Sequence, residues 1–169
     1  AFYRFFSFAT YLATGSFLVS GVLSGSCDAI YGIMVFVAAK LDEKFDLTVL
    51  ASISSFIMAA CIVVATLTIG LWPSFVCFLL IPVFWPIPAI FINQRMLAKS
   101  KILGITNDCN FIKYNGHLAG QTFCYMFGLT GFVWLIFAAG ACLMVAVGIT
   151  SPIIEEKTRK TLVDYIENN

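Results

Sequence analysis

Few side chains in this sequence can do chemistry, and most of them stand alone. Asp28 is the one carboxylate inside a long apolar run, where a charged group costs about 2.5 to 3.5 kcal/mol on insertion scales and is read as a proton- or ion-handling residue. His117 and Gln121 lie one helical turn apart, a spacing that lets both hydrogen-bond a lipid headgroup, a water chain or a neighbouring helix. His117 is the only histidine, so neither a bis-His haem nor a His-rich metal site can be built within the chain. The six cysteines, at 27, 61, 77, 109, 124 and 142, form no CxxC pair, and most read as small buried hydrophobes. Cys27 and Cys109 are expected near membrane borders, where an oxidising compartment would let them pair. Soluble-enzyme signatures are missing: there is no GxSxG, HExxH, Walker loop or strand-following GxGxxG. These residues point away from catalysis, and the chain is expected not to be an enzyme.

The elements that carry them are helices made for lipid. Of 169 residues 60% are hydrophobic and 11% are charged, against roughly 25% charged in a soluble domain. The net charge of +1 offers nucleic acid no basic field. About 20 apolar residues cross a bilayer, and the runs predict an all-α integral membrane protein with four spans at about 5–26, 47–71, 73–93 and 117–149. Together they form one transmembrane domain over 1–150. Gly25, Ser26 and Cys27 are the expected end of the first span, which would leave Asp28 at the interface and a helical extension beyond it. Asp46 and Thr48 stand where the second helix needs an N-terminal cap. Pro82, Pro86 and Pro88 predict a kinked third span. A polar connector is expected over 94–116 and a bend of the fourth span at Gly140. Ser151 and Pro152 then read as the start of a separate amphipathic helix over 151–169, with Glu155–Arg159 and Glu156–Lys160 at supportive spacing and Ile154, Thr158, Leu162 and Tyr165 on one docking face. Four crossings would put both ends of the chain on one side. Six Lys and Arg in the connectors against four at the termini leave the orientation open.

Small residues mark where helices are built to touch. Ser16, Ser20 and Ser24 recur every four residues beside Gly21 and Gly25, and Gly116, Gly120, Cys124 and Gly128 form a second row. In lipid, apolar surface alone gives helices no reason to associate, and small residues that let backbones approach do. Seventeen Phe, six Tyr and three Trp add material for interfaces. The expectation is a structural, accessory subunit contacting other membrane subunits and lipids. No cofactor is expected within the chain, and a pigment or quinone would have to sit at an interface shared with a partner. The start at Ala1 reads as a processed organellar chain, which places the mitochondrial inner membrane first and the thylakoid second.

One segment carries a family likeness. Trp72 and Pro73, the apolar stretch to Pro86, Ile87 and Pro88, and then Phe91 and Ile92 resemble the second-helix segment of the leptin-receptor-overlapping-transcript family of small endosomal four-helix proteins. The resemblance covers residues 72–92 and implies, as an alternative, a trafficking protein of endosomal membranes.

Overall fold

The computed structural model describes residues 10–11, 14–129 and 133–167, without the side chains of 121, 123–125, 127–129 and 133. Six helices account for nearly all of them: α1 (Phe17–Asp42), α2 (Leu47–Leu67), α3 (Trp72–Phe84), α4 (Pro86–Ile102), α5 (Thr106–Leu129) and α6 (Val133–Glu167). No strand occurs among the described residues, and the chain is an all-α integral membrane protein by helix length and composition. Four segments are long and apolar enough to cross a membrane: α1, α2, α3 with α4, and α6.

The helix ends explain where the sequence breaks. Gly15, at φ +66°, closes the preceding turn by donating its N–H to the Tyr11 carbonyl, and Ser16 then caps α1 by accepting the Val19 N–H. α1 therefore begins at Phe17 and runs unbroken past Gly25, Ser26 and Cys27, with the helical extension that the sequence suggests: a glycine inside an apolar helix is tolerated, whereas one at positive φ ends it. Residues 5–9 of the expected first span lie outside the described residues. Asp46 caps α2 as the sequence suggests, accepting both the backbone N–H and the hydroxyl of Thr48. Gly70 turns the chain into Trp72 and Pro73, which open α3.

The third span is one rod broken at Trp85, with α3 and α4 on either side. Its second half continues to Ile102, and a Schellman turn at Gly104 (φ +68°) sends the chain straight into α5. The polar segment 94–116 is thus no loose connector but the end of one helix and the start of another.

α6 holds the other correction. It runs through Pro152 without a break, and Ser151 is buried rather than capping a new helix. Proline removes the N–H that would reach the Gly148 carbonyl. The neighbouring hydroxyls turn inward along the same helix: Thr150 donates to Ala146 and Ser151 to the Val147 carbonyl at 2.7 Å. Among the described residues the fourth apolar span is Trp134–Glu167. Glu155 bonds Arg95 of α4 instead of Arg159, while Glu156 does pair with Lys160 at 2.7 Å. Thr158 is buried and Ile154 packs on the chain's own core, so half of the expected docking face is already occupied.

Two core clusters fix the direction of each rod. At the first end Ile62 and Ala65 of α2, Cys77 and Phe78 of α3, and Ile136 and Phe137 of α6 pack together. At the second end Ala38 of α1, Leu47 and Ala51 of α2, and Ile87 and Phe91 of α4 are joined by Ile154. α2 and α6 are therefore antiparallel, and α6 sets out from the first end. Because α4 finishes at the second end, α5 must carry the chain back, and its 24 residues reach roughly 36 Å, enough for the return. The start of α1 and the finish of α6 lie at opposite ends of the described bundle.

This topology also sorts the charges. Lys40, Lys44, Arg95, Lys99, Lys101, Lys113, Lys157, Arg159 and Lys160 all belong to the second end, and no charged residue stands at the first end among the described residues. By the described charges alone, the positive-inside rule favours the second end as the side from which the chain is inserted. Protease or cysteine-reagent accessibility in sealed native vesicles should place residues 42–46 and the 160s together and residues 68–71 on the opposite side. Replacing Asp46 with Ala should lower stability by about 1 kcal/mol, the usual worth of such a cap. The Thr48 hydroxyl and N–H hold the Asp46 carboxyl below the ordinary value of 3.8. Its contribution is therefore complete above that value and is lost as pH falls through the lower folded one, which unfolding of wild type and Asp46→Ala in detergent across pH 2–6 would reveal.

Candidate functional site: the outer face of α1

Cys27 and Pro82 set how α1 sits on the bundle. Pro82 inside α3 has no N–H to give the Phe78 carbonyl, and in lipid a carbonyl left without a donor costs several kcal/mol by transfer scales. The Cys27 thiol, buried at 4% exposure, reaches this carbonyl from α1 at 3.5 Å. The cysteine expected at a membrane border is therefore deep in the bundle, and Cys109 stands in the first turns of α5 at the second end; they cannot pair within the chain. Ala38 completes the seat one helical stretch further on, against Ile87 and Phe91 of α4.

With Cys27 and Ala38 turned inward, periodicity dictates what turns outward. Gly21, Gly25, Asp28, Gly32 and Ala39 are exposed and follow each other at four, three, four and seven residues, the spacing of a coiled-coil seam. A methyl group added at Gly21, Gly25 or Gly32 would meet nothing within 4 Å. Only 11% of the apolar stretch of α1 is buried within the chain, against 50% of that of α2. Ser20 and Ser24 lie half-buried at the flank, so the expected ridge splits into serines beside the bundle and glycines facing away from it. Packing within this chain is not what these glycines serve.

Asp28 sits in the middle of that seam. It is 11 residues beyond Phe17 and 14 before Asp42, about 16 Å from one end of the helix and about 21 Å from the other. Within α1 it therefore stands in the middle part of the helix rather than at an end. Its carboxylate is exposed and faces away from the described bundle.

α5 repeats the pattern. Gly116, Gly120 and His117 are exposed, and a methyl group at either glycine meets open space. The helix touches the rest at few places, among them the hydrogen bond from Lys113 to Asn93 of α4. Gln121, Cys124 and Gly128 belong to the same helix, but their side chains lie outside the described residues. Asp28 and His117 are both exposed, on helices that are not among the closely packed pairs of the bundle. No group of three His, Cys, Asp or Glu close enough to hold a metal ion occurs among the described residues.

The glycine that sequence reading missed is Gly148 of α6. A methyl group there would stand 3.0 Å from the Phe56 ring of α2, so this position is where the two most closely packed rods meet. Its only sequence signal is a small residue three before Ser151, which does not distinguish it from the outward glycines.

Comparison of the chain with family models, with curated proteins and with solved structures finds no match. The likeness of residues 72–92 to the second-helix segment of one endosomal family therefore stays confined to that segment.

The two classes of glycine make opposite predictions for the isolated chain. Gly148→Leu should lower thermal stability in detergent by about 1 to 3 kcal/mol through overpacking against Phe56. Gly25→Leu should change it by less than about 0.5 kcal/mol, as expected for a substitution away from the packed core. Cys27→Ser should keep the bond to the Phe78 carbonyl, and Cys27→Val should cost about 1 kcal/mol for its loss.

Proposed function

We propose that this chain is a non-catalytic accessory subunit of a larger membrane assembly. An energy-converting organellar membrane is the first candidate, with the mitochondrial inner membrane ahead of the thylakoid. The observation that carries the reading is the outward face of α1: a membrane span that buries 11% of its apolar stretch in its own bundle and presents glycines elsewhere. Glycine costs a helix about 1 kcal/mol relative to alanine, and lipid repays none of it. A partner helix does, because backbones that approach closely gain dispersion contacts along the whole seam. The bare face of α5 supports the same reading, since a helix of such polar composition beside a membrane bundle needs cover.

A second reading, ion or proton handling, rests on the mid-span position of Asp28. It predicts that Asp28→Asn abolishes flux and leaves assembly intact.

The subunit reading is tested by extracting native membranes in mild detergent, separating particles by size and identifying what travels with the chain. It expects co-migration in fixed ratio with other membrane proteins, lost or weakened in Gly25→Leu although that variant folds. Migration of the wild type as one or a few copies alone would sink it and favour the endosomal trafficking alternative.

A further inference from the structure

We infer that the α1 seam is the docking site for a single transmembrane helix carrying a lysine or arginine at the depth of Asp28. The inference rests on the subunit reading and names the chemistry of one partner. Three observations join in it. The seam has the spacing along which two helices pack, and its positions 21, 25 and 32 are glycine with open space in front of them. Near its centre stands a carboxylate that no described residue is seen to bond, 11 residues from one end of the helix and 14 from the other. Finally, every described Lys and Arg lies at the second end, so no described cation of this chain stands at that depth.

Charge complementarity then selects the occupant. An apolar helix laid on the glycines would seal Asp28 in hydrocarbon with no partner, which is worse than leaving it near lipid and water defects. A helix with a small-residue face and one central cation satisfies both demands: the glycines admit its backbone, and the ammonium or guanidinium takes the carboxylate as a charge-assisted hydrogen bond. Asp28 thus supplies register and partner choice, while the glycines supply the area. A second copy of this chain fits less well, because its own seam brings a second carboxylate to the same depth.

The test uses the full chain, fluorescently labelled and reconstituted in phosphatidylcholine vesicles, with synthetic Leu/Ala transmembrane peptides of about 25 residues. One peptide has Lys at its centre, one Leu and one Glu, all on a Gly/Ala face. Energy transfer should show the Lys peptide binding about tenfold more tightly than the Leu peptide, in the range of measured intramembrane polar contacts. Asp28→Asn should remove that preference, Asp28→Glu should keep it, and Asp28→Lys should transfer it to the Glu peptide. Gly25→Leu should weaken all three peptides together. The inverted preference of Asp28→Lys guards against a variant that merely misfolds. Equal binding of the Lys and Leu peptides to wild type, or no binding, overturns the inference. So does energy transfer between differently labelled copies of the chain that depends on Asp28, which would give the seam to a second copy. Neither result moves the native co-migration on which the subunit reading stands, so the two can fail separately.

Discussion

The Phe78 carbonyl is the atom around which the bundle is arranged. A proline four residues on strips it of its helical donor, and the bilayer offers no water to replace it. The Cys27 thiol answers that need from 51 residues away in sequence, and in doing so clamps α1 to the broken third span. Once Cys27 faces inward, the 3.6-residue period leaves no freedom for its neighbours: Leu23 and Ala38 follow it into the core, and Gly21, Gly25, Asp28 and Gly32 go to the outside.

The rest of the packing divides labour between the two ends. At the first end the core is apolar and uncharged throughout, held by Phe78, Phe137 and their neighbours. At the second end Arg95 links three elements, bonding Glu155 of α6 and lying 5.3 Å over the Phe91 ring, with the Asp46 cap of α2 within electrostatic reach. Both partners of the Arg95–Glu155 pair are 26% exposed, so it escapes the full desolvation cost of a buried ion pair while still fixing how the tail of α6 leaves the bundle.

Function follows from what this packing leaves over. α2, α3, α4 and the middle of α6 satisfy one another, whereas α1 and α5 each give the bundle one edge and keep a glycine-bearing side free. A free side that pairs small residues with a mid-depth carboxylate has a chemical preference as well as a shape. On the proposed reading, that combination is what separates a specific helix contact from general lipid exposure.

The sequence by itself determined the class and most of the materials. Apolar run length named membrane helices, Asp46 and Thr48 named a cap, three prolines named a broken span, and the spacing of glycines named contact faces. These are local properties, set by composition and period. What it left undetermined were ends and directions. The apolar run from Phe5 does not reveal that Gly15 takes a positive φ and that α1 starts at Phe17, which puts Asp28 in the middle part of that helix. Nor does Ser151 next to Pro152 reveal that the helix passes through both, because a hydroxyl that caps a helix can equally bond the turn behind it. Only tertiary packing decided which glycines face inward, Gly148 against Phe56, and which face out, Gly21, Gly25 and Gly32. The choice belongs to contacts between residues far apart in the chain, and no periodicity within a single helix contains it.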